Sequence, residues 1–195
     1  MPRLFTGIEI PPEIAQSLAT LRGGLPGARW IEPENYHVTL RFIGDVDDAL
    51  AREIVSLLTR VRRPSFEVRL EDLKAFGGRT PRAVVATLGR TAAVMELQAE
   101  HERLIQRVGL EPEGRKYIPH VTLARLRESS SREVADYLAL RALFRSAPFK
   151  VSRFVLFSAR NSVGGGPYVV EAAYPLSGDG RQTTEDGRRS EESWS

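Results

Sequence analysis

His37-Val38-Thr39-Leu40 and His120-Val121-Thr122-Leu123 spell the same tetrapeptide twice in one chain. Each copy, with the adjacent β-branched residues Val and Thr at its centre, reads as part of an extended strand. Side chains alternate faces along a strand, so His37 and Thr39 share one face while Val38 and Leu40 share the other. His120 and Thr122 repeat that arrangement. One face of each strand is apolar and suited to a core; the other carries a titratable ring and a hydroxyl. A solitary copy would be read as an ordinary strand holding a hydrogen-bonded histidine and a β-favouring threonine. Two copies in matched settings point to a repeated unit whose reactive faces meet.

The flanking sequence supports that reading. Residues 3–10 have strand character, and Pro11-Pro12 opens a helical pattern through Ile14, Leu18 and Leu21 that Gly23-Gly24 stops. Trp30-Ile31 leads into the first motif strand, residues 35–43. Asp45, Asp47 or Asp48 can cap a helix carrying Leu50, Ile54, Leu57, Leu58 and Val61, closed by Pro64. Residues 66–70 and 83–88 read as strands forming an antiparallel pair. Residues 91–108 give the clearest helix, with Val94, Leu97, Leu104, Ile105 and Val108 on one stripe. The second motif strand, 117–126, precedes a helix capped within Ser129 to Ser131 and carrying Val134, Leu138 and Leu143. Strands near 149–157 and 168–176 follow, joined by the turn Gly164-Gly165-Gly166-Pro167. Each motif strand is thus followed by a polar turn and an amphipathic helix. The expected fold is α+β and bilobal: two lobes related by a pseudo-twofold, each with an antiparallel sheet and flanking helices, and the site in the groove between them. Residues 1–176 form one such domain, and 177–195, almost devoid of apolar side chains, read as a disordered tail.

Composition bounds the function classes. The 195 residues are 42 % hydrophobic, enough for one sizeable core. Residues 1–10 lack the pattern of a signal peptide and no apolar run is long enough to span a bilayer, so the expectation is a cytoplasmic protein with no membrane partner. With no cysteine, there is no disulfide framework, thiolate zinc site or cysteine nucleophile. A formal charge of +3 suits a phosphate-bearing ligand but falls well short of the dense basic runs of a general nucleic-acid binder. No close histidine pair at ligand spacing accompanies a carboxylate, so neither a metal nor another cofactor is expected.

Two facing imidazoles fit one chemistry well. In-line opening of a cyclic phosphodiester needs a base for the attacking water and an acid for the departing ribose oxygen, on opposite sides of phosphorus. Near neutral pH one neutral and one protonated histidine can coexist. Thr39 and Thr122 can donate to the non-bridging oxygens. Arg125, five residues after His120, could hold the phosphate with two parallel hydrogen bonds, but only if the strand ends or bulges near Ala124. Arg41, four after His37, has the right parity without a bulge. Phe42, Tyr117 and Tyr168 are candidates to stack a nucleobase. His101, inside the third helix, reads as a packed histidine outside the site. The Gly164–Gly166 run lacks the lysine and hydroxyl of a phosphate loop and reads as a hairpin. Local symmetry leaves the acid and the base unassigned.

The stretches 35–45 (NYHVTLRFIGD) and 117–125 (YIPHVTLAR) also resemble the two signatures of the two-histidine phosphoesterase superfamily. The branch of greatest similarity is the RNA 2′,3′-cyclic phosphodiesterases, historically called 2′-5′ RNA ligases. Phe5 to Ile8, Trp30, Leu156 to Ser158, Gly166 to Tyr168 and Tyr174 to Leu176 extend the likeness over almost all of residues 1–176. The resemblance implies a bilobal fold and metal-independent hydrolysis of RNA 2′,3′-cyclic phosphate ends to 2′-phosphomonoesters. It implies His37 as proton donor to the leaving 3′ oxygen and His120 as the acceptor that activates water. The implied partners are RNA ends, tRNA fragments or small cyclic nucleotides, with the protein acting as a monomer. Two alternatives stay open. One is 2′-5′ ligation of tRNA halves, the reverse chemistry on the same histidines. The other is a non-catalytic module that binds RNA ends or nucleotides.

Overall fold

The computed structural model describes residues 3–89, 91–159 and 165–178. Their elements run β1 (Arg3–Glu9), α1 (Pro12–Ala19), β2 (Ala28–Trp30), a 3-10 turn (Pro33–Asn35), β3 (His37–Asp45), α2 (Asp48–Leu58), β4 (Phe66–Val68), β5 (Leu70–Phe76), β6 (Ala83–Leu88), α3 (Ala92–Arg107), β7 (His120–Leu126), α4 (Ser131–Ala139), β8 (Phe149–Val151), β9 (Arg153–Ser158) and β10 (Val169–Pro175). The fold is α+β. Residues 179–195, most of the expected tail, lie outside the described residues, as does Gly164 of the expected hairpin.

The strands form an eight-stranded sheet in the order β10-β9-β1-β3-β7-β6-β5, with β2 alongside β7. The described pairings are antiparallel apart from a parallel bridge between Pro64 and Ser177. Each half contains one motif strand. The halves join through a single residue pair, Val38 with Val121, so the two expected sheets run into one another at the motifs themselves. Beyond that pair β7 exchanges neighbours, and Ala124 to Leu126 lie against β2.

Apolar alternation buries Val38, Leu40, Val121 and Leu123 under the helices, and α3 packs across β3. The same core takes Leu18 of α1, Ile54 and Leu58 of α2 and Leu97 and Ile105 of α3. Asp47 caps α2, its side chain accepting from the Leu50 N–H at 2.8 Å. Ser130 caps α4 through a capping box with Glu133. A second, smaller cluster of Phe5, Val155 and Phe157 lies on the opposite face of the sheet. None of the described helices is long and apolar enough to cross a membrane.

Several local expectations are corrected. β4 pairs with β8 in a separate two-stranded sheet, and it is β5 that lies beside β6. Ser152 divides the expected strand 149–157 into β8 and β9. Leu143 lies beyond α4 and is almost fully exposed; Tyr137, whose hydroxyl reaches the Leu21 carbonyl, takes the buried place with Val134. The second motif strand begins at His120 itself, after an irregular segment that follows α3.

Candidate active site

Both motif strands bulge at the same place. Gly7 and Thr6, adjacent on β1, face Thr39 and Arg41, which leaves Leu40 as an extra residue in β3. Val85 and Val84, adjacent on β6, face Thr122 and Ala124, which leaves Leu123 extra in β7. A bulge shifts the alternation by one, so the residue five places after each histidine returns to the histidine's face. Phe42 follows His37 in this way, and Arg125 follows His120. Both are exposed and both line the central cleft, a space of about 720 Å3 that also takes in His37, Thr39, His120, Thr122 and Tyr168.

The same bulge corrects the expectation for Arg41. Its simple parity would place it beside His37, but the extra residue buries it with Leu40 on the helical side. Only 7 % of its surface remains exposed. Its Nε lies 2.5 Å from Glu102 Oε2 on α3, one terminal nitrogen donates to the Glu111 carbonyl at 2.5 Å, and the other donates to the Phe42 carbonyl. The side chain borders the cleft, yet its guanidinium is held by protein.

The imidazoles are held by matched backbone contacts. His37 Nδ1 lies 2.9 Å from the Asn35 carbonyl and His120 Nδ1 2.6 Å from the Ile118 carbonyl, each two residues upstream. A carbonyl can only accept, so both Nδ1 atoms carry hydrogen and each Nε2 is the nitrogen left for chemistry. The Thr39 hydroxyl donates to His37 Nε2 at 3.1 Å. His120 Nε2 has no protein partner among the described residues. Around His37 stand Tyr168, edge-on at 4.9 Å between centroids, Phe5 at 5.0 Å and Phe157 at 5.5 Å. Phe76 meets His120 edge-on at 4.8 Å.

These surroundings lower both imidazole pKa values. Burial pushes His37 down to about 4; the Asn35 carbonyl opposes this, and the charges of His120 and Arg125 add to it. Burial likewise lowers His120, opposed by the Ile118 carbonyl and reinforced by Arg125. Arg125 therefore acts on both rings. Arg82, Lys116 and Arg125 border the cleft with no ion pair among the described residues, whereas Arg3 pairs with Asp45 and Arg115 with Glu113. The cleft is thus lined by both basic and aromatic side chains. Among the described residues no three histidine, aspartate or glutamate side chains are gathered so as to hold a metal ion.

Sequence reasoning named His37, Thr39, His120, Thr122, Arg125, Phe42 and Tyr168, and all of them border this one cleft. It missed Phe76, Arg82 and Lys116, and the carbonyls of Asn35 and Ile118. Only the proximity of Asn35 and Ile118 to each histidine could have signalled the last two. Tyr117, also named for stacking, borders the cleft too, and its hydroxyl donates to the Thr39 carbonyl at 2.9 Å.

An antiparallel sheet with one His-x-Thr strand per half, meeting in a basic cleft, defines the class of two-histidine phosphoesterases. The family model described as LigT like Phosphoesterase matches residues 8–86 and again 89–168, one copy per motif, and the chain belongs to that family. The RNA 2′,3′-cyclic phosphodiesterase of Aeropyrum pernix is 39 % identical over 53 % of this chain and 60 % of its own length. That of Geobacillus stearothermophilus is 31 % identical over 91 % of this chain and 59 % of its own. The aligned part therefore spans only about three fifths of these two relatives. In fold, a crystal structure described as a phosphoesterase superposes with a TM-score of 0.74 at 23 % identity, covering 90 % of this chain and 98 % of the other. E. coli LigT complexed with 3′-AMP gives 0.72 at 24 % identity, covering 90 % and 99 %.

Proposed function

We propose that the protein is a hydrolase that opens the 2′,3′-cyclic phosphate at RNA ends to a 2′-phosphomonoester. The observation that carries this is the matched pair of imidazoles. Each presents Nε2, with Nδ1 tied to a carbonyl, in one cleft whose Arg125 charge reaches both. In the proposed reaction His120 Nε2 takes a proton from water and the water oxygen attacks phosphorus. The bond from phosphorus to O3′ breaks, and His37 Nε2 gives its proton to that oxygen. The bound phosphodiester, itself an anion, offsets Arg125 and favours the imidazolium that His37 needs. Thr39, Thr122 and Arg125 meet the non-bridging oxygens, where negative charge accumulates. Phe42 and Tyr168, both lining the cleft, are the proposed surfaces for a base. No metal enters the scheme.

The test is to incubate the protein, with and without excess chelator, with 2′,3′-cyclic, 3′,5′-cyclic and 2′,5′-linked substrates. The expected product is a 2′-phosphate from the first class alone, formed equally with chelator present. His37→Ala and His120→Ala, both at half-buried sites, should keep the fold and each lose about a hundredfold or more of kcat/KM. A 3′-phosphate product, strict dependence on a divalent ion, or an active histidine variant would each overturn the scheme.

A further inference from the structure

The two catalytic histidines are anchored alike but supported differently. Asn35, whose carbonyl holds His37, ends a 3-10 turn that leads directly into β3. Ile118, whose carbonyl holds His120, belongs to the segment 108–119, which contains no helix or strand. Something must fix that segment if the His120 ring is to keep one orientation, because an irregular stretch has no ladder of its own to hold it.

Beside Ile118 the Pro119 carbonyl accepts from the Leu88 N–H of β6 at 3.0 Å, which fixes the end of the segment. The contacts that hold the rest come from β3 of the first motif and from α3. Arg41 of β3 is a buried cation with its guanidinium divided between Glu102 of α3 and the Glu111 carbonyl of the segment. Glu102 Oε1 in turn accepts from the backbone N–H of Glu113 at 3.1 Å and from the Gln106 amide at 2.8 Å. Burial alone would raise the Glu102 pKa; the Gln106 amide, the Glu113 N–H and Arg41 outweigh it and keep the carboxyl below its ordinary range. Further along, the Tyr117 hydroxyl donates to the Thr39 carbonyl, so the segment is pinned to β3 at two points.

We propose that Arg41 is a positioning residue for His120: through Glu102 and the Glu111 carbonyl it docks the segment whose Ile118 carbonyl orients that imidazole. The first motif thus sets the geometry of the second motif's histidine. A guanidinium suits this place because its planar fork serves a carboxylate and two carbonyls at once, which an ammonium cannot match. The kinetic part of the proposal rests on His120 taking part in catalysis; the structural part does not.

The experiment follows the three imidazoles by NMR titration in the parent, Arg41→Gln and Arg41→Lys, alongside thermal unfolding and kinetics on a 2′,3′-cyclic nucleotide. A loosened Ile118 carbonyl withdraws a contact that raises the His120 pKa. In folded Arg41→Gln the His120 titration should therefore move to lower pH while His37 and His101 stay in place. kcat should fall about tenfold with KM little changed, and Arg41→Lys should lie between. If Arg41→Gln does not fold, Glu102→Gln, which weakens the same contact, carries the test. An unmoved His120 titration in a folded variant would overturn the proposal, and so would parallel movement of all three histidines, the sign of general loosening. A rise in KM alone would make Arg41 a substrate contact instead. If the parent has no activity but His120 still moves alone, the brace stands and the reaction assignment fails.

Discussion

Val38 on β3 lies directly across from Val121 on β7, both with no exposed surface, and this pair alone joins the halves of the sheet among the described residues. Side chains beside an antiparallel pair point to the opposite face from it, so burying the valines under the helices turns His37, Thr39, His120 and Thr122 together toward the cleft. The middle letter of each motif thus builds the core that aligns the reactive letters on either side.

Gly7 is the neighbour that this arrangement least tolerates changing. A Cβ there would come within 2.8 Å of the Val38 carbonyl oxygen and 3.1 Å of the Phe157 ring. Gly7→Ala must therefore push β3 away between His37 and Thr39. We expect a loss of about 1–3 kcal/mol of stability together with a fall in kcat. Urea unfolding and steady-state kinetics measure both; a variant as stable and active as the parent would show that β3 moves freely at this point.

How far the sequence disclosed the site depends on which feature is considered. The motif residues were legible because strand alternation assigns faces, and the helices because their stripes are long. The bulges at Leu40 and Leu123 were not legible, since an extra residue leaves no trace in a period of two. Simple parity admitted Arg41 directly and Arg125 only with a bulge near Ala124; the structure supplies that bulge for Arg125, and the matching one in β3 buries Arg41. Backbone carbonyls, such as those of Asn35 and Ile118, have no residue type to mark them. The pairing of β4 with β8 links residues about eighty apart, beyond the reach of local pattern.

The pH dependence should be acidic. Both imidazoles are lowered in the free protein, His37 to about 4 and His120 below its ordinary 6.5. The state with one proton shared between them is therefore most populated below pH 6.5 and declines as pH rises. The kcat/KM profile should be a bell centred on the acidic side of about pH 6.5, its two limbs belonging to the coupled pair rather than to either ring. A cyclic phosphate whose base does not titrate in the range supplies the measurement. An optimum at or above neutrality would contradict the burial of the two rings.

His101 gives a separate signature in stability. It is wholly buried on α3, its Nδ1 2.8 Å from the Thr6 hydroxyl and its ring edge-on to Phe154, while Nε2 has no partner among the described residues. Burial, helped by the charge of Arg63, lowers its pKa to about 3. The unfolded chain binds this proton near pH 6.5 and the folded one only near 3, so the stabilisation is complete above 6.5 and lost as pH falls. From about pH 7 to about pH 4.5 this group alone should cost about 3 kcal/mol. Denaturant unfolding at the two pH values should show that loss in the parent and a smaller one in His101→Phe; equal losses would mean His101 protonates without penalty.

Arg125 should affect binding and titration at once. Its exposed guanidinium lies on the face of His120 and Thr122 and lowers the pKa of both histidines. If Arg125 holds the phosphate as proposed, Arg125→Gln removes up to two charged hydrogen bonds to it, and kcat/KM should fall about ten- to a hundredfold. It also removes a positive charge from beside two groups that become positive when protonated, so both pKa values must rise and the bell must move to higher pH. Arg125→Lys keeps the charge but not the fork. It should hold the parent's pH optimum while recovering only part of the lost rate. A pH profile unmoved in Arg125→Gln would place the guanidinium too far from the rings to share a phosphate with them, whatever the size of the rate loss.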